Sequence, residues 1–203
     1  MDLTYYRQHS RAYFERTVKA DAAAILQPVV DLVPPPARVL DVGCGSGRDL
    51  AWLKARGYTG CGIEAAPDLA RRARRHCGCP IHVADFMTLP LSTFQADLII
   101  AVGSLVHVPH RQLSVCIEHL HQALKHKRSK AGRRPHLYLS LKCGEGVQQQ
   151  TDGRVFYLWR DAALRSVFAE LGLDIVESIH QPSALAGSAD STWLGYLLRA
   201  VSA

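Results

Sequence analysis

The chain has 203 residues, 48% apolar and 21% charged, with a formal net charge of +6. That length suits one domain with a full-sized core, and no apolar run approaches the ~20 residues a membrane-spanning helix needs. The opening stretch, MDLTYYRQHSRAYFERTVKA, lacks the apolar core and small-residue cleavage site of a secretory signal, so a cytoplasmic location is expected. The six cysteines are too sparse for a disulfide scaffold in a chain this long. Cys77 and Cys79 stand beside His76 without further ligands at a recognisable spacing, so no metal is expected; Gly78 and Pro80 suggest a helix-to-strand turn instead. The excess of positive charge allows an acidic partner, and residues 125–134, KHKRSKAGRR, hold a local basic run. No aromatic residue interleaves those charges, so a solvated loop is the first expectation there and a nucleic-acid contact the second.

Two periodicities alternate along the chain. Residues 4–32 carry helical spacing and predict two helices, with Tyr5, Tyr6, Tyr13 and Phe14 packing one face onto the domain. Prolines 34–36 then separate this segment from a first strand at 37–42. A helix at 47–56, a strand at 60–65, a helix at 67–77 and strands at 80–85 and 96–102 follow. Next come a helix at 110–125, a strand at 135–142, a glycine- and glutamine-rich loop at 143–154 and a helix at 161–171. Strands at 173–180 and 191–200 end the chain, joined by QPSALAGSAD, which has no helical period and suits a hairpin. The expected fold is α/β: a Rossmann-like seven-stranded sheet, mostly parallel with an antiparallel last strand, and helices on both faces. A single domain, 1–203, is expected.

The strongest chemical signal is Val39-Leu40-Asp41-Val42-Gly43-Cys44-Gly45-Ser46-Gly47-Arg48-Asp49-Leu50, an apolar strand running into a glycine-rich turn and a helix. Glycines there let a ligand approach the backbone, and the helix start offers free N–H groups. The dinucleotide fingerprint would require glycine at position 48, where this chain has arginine. Asp41 would repel a pyrophosphate but attract an ammonium group, and no G-K-[ST] sequence is present to hold a triphosphate. Glu64 ends the second strand, where an acid can accept from ribose hydroxyls. Asp85 ends the third, where a carboxylate can accept from an adenine amino group with Phe86 covering the ring. Any one of these acids alone could be a helix cap. Together with the glycine turn they mark the carboxyl edge of the sheet as a ligand crevice.

On these residues the segment 37–142 resembles the class I S-adenosylmethionine-dependent methyltransferases. The elements GSLVHVP at 103–109, SLKCG at 140–144 and DGRVF at 152–156 are similar to a bacterial small-methyltransferase group that includes the tellurite-resistance type. The resemblance implies S-adenosylmethionine as cofactor, S-adenosylhomocysteine as product, and cofactor contacts from Asp41, Gly43, Cys44, Gly45, Gly47, Arg48, Glu64, Ala65, Asp85, Phe86, Ala101 and Val102. It also implies a helical lid at 1–33, a cofactor core at 37–142 and a substrate-side region at 143–203. The family's short Pro-Gly-Gly-like turn before the fifth strand is replaced here by the longer, basic HKRSKAGRRPH.

Methyl transfer is an in-line displacement that relies on positioning and fitted electrostatics, with a base needed only where the acceptor must lose a proton. His107, just after the fourth strand, is the candidate catalytic residue, since its ordinary pKa of ~6.5 suits proton transfer. It could equally cap the next helix or pack under Pro109. Tyr13, Ser104, Lys142 and Arg154 are candidate substrate contacts. The two cations could hold an anionic substrate or pair with Glu145 and Asp152. A small-molecule acceptor is the expected partner. The alternatives are an RNA- or protein-directed methyltransferase, a non-catalytic protein that binds S-adenosylmethionine and regulates a partner, and, less well supported, a nicotinamide-dependent reductase.

Overall fold

Four consecutive residues of the first strand are buried, Val39 to Val42, and five of a later one, Leu137 to Leu141. A strand buried on both faces has helices above and below it, as in parallel α/β sheets. The computed structural model describes residues 3–125, 134–182 and 191–201. The elements begin with α1 (Thr4–Gln8), α2 (Ser10–Thr17), α3 (Ala23–Leu32), β1 (Arg38–Val42), α4 (Arg48–Lys54), β2 (Thr59–Glu64), α5 (Pro67–Cys77) and β3 (Ile81–Val83). They continue with β4 (Leu98–Val102), α6 (His110–Lys125), β5 (His136–Lys142), β6 (Val147–Gln149), β7 (Val155–Tyr157), α7 (Asp161–Glu170), β8 (Leu173–Pro182) and β9 (Thr192–Ala200).

The seven-stranded sheet runs β3-β2-β1-β4-β5-β9-β8. The pairs from β3 to β5 are parallel, and β9 runs antiparallel to both β5 and β8. The expected sheet, with its antiparallel last strand, is the one observed. Side chains alternate between two cores, as the strand period of two requires. Leu40, Ile99, Ala101, Leu137 and Leu139 pack on one face with Leu113, Ile117 and Leu120 of α6 and Phe168 of α7. Val39, Leu98, Ile100 and Tyr138 face the other way, onto Leu26 and Val29 of α3 and Leu53 of α4. Chain order reverses between β1 and β4, so the crevice at their carboxyl ends is the place where this architecture holds a ligand.

Three local departures from expectation have physical causes. The N-terminal segment forms three helices rather than two. It breaks at His9, which is non-helical (φ −115°, ψ 23°), and α3 restarts where Asp21 Oδ1 accepts the Ala23 N–H at 2.8 Å. The loop expected at 143–154 contains a strand: β6 pairs antiparallel with β7, and the turn is closed by Gln150 N–H donating to the Arg154 carbonyl at 2.8 Å. Its polar glutamines concealed it, because the pairing faces solvent along β6, whose residues are all exposed. The third strand is shorter than expected and stops two residues before Asp85. The Cys77–Cys79 turn is present as expected, with Gly78 left-handed at the end of α5 (φ 61°) and the Cys79 N–H facing Cys77 Sγ at 3.4 Å. Among the described residues no group of three or more possible metal ligands occurs, and no helix is long and apolar enough to cross a membrane. Most of the basic run at 125–134, and with it the expectation of a nucleic-acid contact, lies outside the described residues.

Candidate active site

The site begins where β1 ends. Gly43 and Cys44 both donate their N–H groups to the Ile63 carbonyl, at 2.9 and 3.0 Å, which ties the turn to β2. Glu64, last in β2, closes the tie from the other side. Its Oε2 accepts the Gly45 N–H at 3.0 Å and its Oε1 the Ala66 N–H at 2.8 Å. Two of the glycines have separate reasons to be glycine. A Cβ on Gly43 (φ +72°) would stand 2.5 Å from Ser104 Cβ. One on Gly47 (φ +74°) would meet the Ala73 carbonyl of α5 at 3.0 Å, so that glycine serves helix packing.

Two chambers open at this edge and share Tyr6, Tyr13, Gly43, Gly45, Val102 and Gly103 in their walls. The smaller, about 70 Å³, is lined further by Glu64, Ala65, Asp85, Phe86, Ser104 and His107. The larger, about 340 Å³, is reached by Arg16, Asp49, Lys142, Arg154, Phe156 and Trp193. One chamber is therefore acidic and built on the strand ends β2 and β3. The other is lined by more cations than anions and takes its residues from both ends of the chain.

Three carboxyls sit close beneath the glycine turn. Asp41 is 2% exposed, and its Oδ2 has no hydrogen-bond partner. Burial pushes its pKa well above the carboxylate range, Asp49 adds to that, and Arg48 opposes it. Burial also raises Glu64, against the backbone donors that favour its charge. Arg48 is held by Asp49 through two bonds of 2.8 and 3.0 Å. Buried carboxyls whose charged form is disfavoured in this way gain most from a cationic or hydroxyl-rich ligand, which favours that form.

An aromatic strap from the N-terminus crosses both chambers. The Tyr6 and Tyr13 rings meet edge to face at 5.0 Å, and the Tyr13 ring fills the space a side chain on Gly45 would need, 3.4 Å away. Burial and Glu64 push the Tyr13 hydroxyl up to about 12, so it stays protonated. Tyr6 Oη lies 2.6 Å from His107 Nε2, while His107 Nδ1 lies 2.7 Å from the Val155 carbonyl. A carbonyl only accepts, so Nδ1 carries a proton, and when the ring is neutral Nε2 accepts from Tyr6. The guanidinium of Arg154 stacks over Tyr5 at 4.5 Å and is gripped by Asp152 Oδ2 at 2.7 Å. Strap, β4 end and the β6–β7 hairpin thus meet around one histidine.

This architecture has relatives. A family model described as a methyltransferase domain matches residues 39–127, the stretch holding the glycine turn, Glu64, Asp85 and His107. The chain is also similar to methyltransferase GfsG of Streptomyces halstedii, 37% identical over 82 residues, which are 36% of this chain and 30% of that protein. The likeness thus spans under a third of that relative's own length. A magnesium protoporphyrin IX methyltransferase from Synechocystis, solved with S-adenosylhomocysteine bound, superposes with a TM-score of 0.72 at 16% identity, covering 98% of this chain and 100% of that one. A TehB-like S-adenosylmethionine-dependent methyltransferase from Corynebacterium glutamicum gives 0.69 at 20% identity over 95% and 98% of the two chains. A Burkholderia thailandensis N-methyltransferase, bound to 1,6-didemethyltoxoflavin and S-adenosylhomocysteine, gives 0.69 at 19% over 98% and 85%. At these identities the structural likeness establishes the class I fold.

Across the two chambers the residues expected from sequence separate into three groups. Gly43 and Gly45 line both chambers with Val102, while Glu64, Ala65, Asp85 and Phe86 share the smaller and Cys44 and Arg48 the larger. Asp41, Gly47 and Ala101 line neither, lying beneath the turn or within the packing. Tyr13, Lys142 and Arg154 meet in the larger chamber, whereas Ser104 falls in the smaller one, with its Oγ unpartnered. Arg154 pairs with Asp152 and Glu145 with Arg160, so Lys142 takes neither acid. Tyr6, Arg16, Asp49, Phe156 and Trp193 were not singled out for the site. Tyr6 stands seven residues before Tyr13, a helical repeat that placed both on one face. Trp193 gave no such signal, since it reaches the site through its pairing opposite Lys142 on β5.

Proposed function

We propose that this protein transfers a methyl group from S-adenosylmethionine to a small-molecule acceptor. The observation that carries the reading is the meeting of an acidic and a cation-rich chamber at the Gly43–Gly45 turn of a methyltransferase domain. The residues present fit the cofactor. A cradle that admits no side chain at Gly43, an unpartnered Ser104 hydroxyl and buried acids suit a hydroxyl-rich nucleoside with a cationic tail. Gly43, Cys44 and Gly45 would meet its methionyl and ribose parts, Glu64 and Ala65 the ribose, Asp85 and Phe86 the adenine, and the backbone at Ala101 and Val102 the methionyl end. Arg48 and Asp49 would flank that end as a pair, and Asp41 would act on its ammonium from beneath the turn. When bound, the cofactor supplies a methyl group made electrophilic by a positively charged sulfur.

The chain's own part is enclosure and orientation. Tyr6 and Tyr13 exclude water from the shared wall, and a drier site strengthens each electrostatic contact in it. His107 orients Tyr6, and its Nε2 can take a proton from an acceptor only once the Tyr6 hydroxyl has turned away. Residues 1–33 act as a lid on a single unit whose core is 37–142 and whose substrate side is 143–203. The small molecules named for the structural relatives, 1,6-didemethyltoxoflavin and magnesium protoporphyrin IX, support a small molecule here too.

Calorimetry with S-adenosylmethionine, S-adenosylhomocysteine and NAD tests the assignment. About micromolar binding of the first two, near −8 kcal/mol, and its loss on Glu64→Ala or Asp41→Ala, are expected. Preference for NAD would overturn it.

A further inference from the structure

The charged side chains of the larger chamber are unevenly matched. Among the described residues, Arg16, Arg48, Lys142 and Arg154 line it against a single acid, Asp49. Asp49 is committed to Arg48, and Arg154 is held by Asp152 from outside the chamber lining. Arg16 is exposed to solvent. Lys142 differs from all three. It is half-buried and makes no hydrogen bond or ion pair with a described residue, and its ammonium rests 4.5 Å from the centre of the Phe156 ring. The Arg154 guanidinium lies over the same ring at 5.2 Å, so two cations converge on one aromatic ring. Burial, and then Arg154, pull the Lys142 pKa below its usual value. A half-buried ammonium facing a second cation, with no counter-ion among the described residues, is costly, and an anion entering the chamber removes that cost. Four aromatic residues, Tyr6, Tyr13, Phe156 and Trp193, share the wall with polar ones such as Ser140 and Gln150, and the Trp193 ring lies 3.2 Å from where a Gly103 side chain would begin.

We propose that the larger chamber is the acceptor site and takes a planar aromatic carboxylate, with Lys142 as its counter-ion. This rests on the methyltransferase reading and adds the acceptor's chemistry to it. A single negative charge is the match, because Arg154 and Arg48 each already hold an aspartate and Arg16 stands in solvent. Trp193, with the rings of Tyr6 and Tyr13, supplies the flat apolar contact that an aromatic body requires.

The test compares naphthoate with its neutral amide, naphthamide, by calorimetry on the full chain saturated with S-adenosylhomocysteine. Naphthoate should bind at least about tenfold more tightly, a difference of about 1.4 kcal/mol. Lys142→Met should abolish that preference, and Lys142→Arg should restore most of it. S-adenosylhomocysteine affinity measured on each variant reports folding and the cofactor chamber together, and should stay within about twofold of the parent. Equal binding of acid and amide, no naphthoate binding, or an undiminished preference in Lys142→Met would overturn the proposal. So would loss of S-adenosylhomocysteine affinity in a folded Lys142→Met, because the lysine would then serve the cofactor. Failure of the parent chain to bind S-adenosylhomocysteine is a separate result. It would defeat the cofactor reading while the acid–amide comparison, repeated without it, still judges the anion site.

Discussion

The two chambers are made in different ways. The smaller one is built on consecutive strand ends, and its wall at the turn is locked by backbone: Glu64 takes two N–H groups, and Ile63 takes two more. The larger one is assembled from side chains far apart in sequence, Arg16, Lys142, Arg154 and Trp193, which meet only through tertiary packing. The contrast suggests a division of labour, with a constant ligand held by rigid backbone and a variable one by interchangeable side chains.

The harshest way to break the backbone side is Gly43→Ala. The new Cβ would lie 2.5 Å from Ser104 Cβ at a positive φ. We expect a loss of about 3 kcal/mol or more in urea unfolding, combining strain with overpacking, and loss of S-adenosylhomocysteine binding. Gly153→Ala, also at positive φ but with nothing within 4 Å, should cost only about 1 kcal/mol and leave that binding intact. Equal effects would remove the distinction between a tight turn and a permissive one.

A smaller effect of opposite sign is expected at Asp41. Its folded pKa is raised by burial, so the folded state keeps a proton that the unfolded chain releases near its ordinary pKa of ~3.9. Stability is therefore lost as pH rises from there toward the folded pKa. Asp41→Asn should be about 1 kcal/mol more stable than the parent at pH 7, a size usual for relieving a functional site. The gap should close on acidification to about pH 4. The same variant should bind S-adenosylmethionine more weakly. A destabilised Asp41→Asn would mean the carboxylate is a structural partner rather than a strained one.

The mildest change sharpens the side-chain half. Tyr6→Phe removes only the hydroxyl 2.6 Å from His107 Nε2. About 1 kcal/mol of local stability should go with it. Amide exchange should quicken in α1 and α2 while the sheet is unaffected. Unchanged exchange in α1 would show that the Tyr6–Tyr13 ring packing alone holds the strap.

The same contrast explains what could be read from the sequence. The glycine turn, Glu64 and Asp85 are legible because a parallel sheet puts successive strand ends at one edge, so position along the chain fixes position in space. The antiparallel last strand was legible because QPSALAGSAD lacks the helical period a crossover would show. Ser104 was expected beside Lys142 but lies with Glu64, because a turn of the chain after β4 sends Ser104 to one side and Val106 to the other. Gly47 belongs to the motif, yet its missing side chain makes room for Ala73 on α5, a helix contact no local pattern encodes. Trp193 and Arg16 depend on strand pairing and helix docking and carried no local mark.

The most direct measurement supplies methyl-labelled S-adenosylmethionine with a mixture of small metabolites, RNA and protein, and follows the label by mass spectrometry. The account predicts a labelled small molecule and an equal amount of S-adenosylhomocysteine, both lost with Glu64→Ala. Label in RNA or protein, or no S-adenosylhomocysteine beyond that formed without the protein, would contradict it.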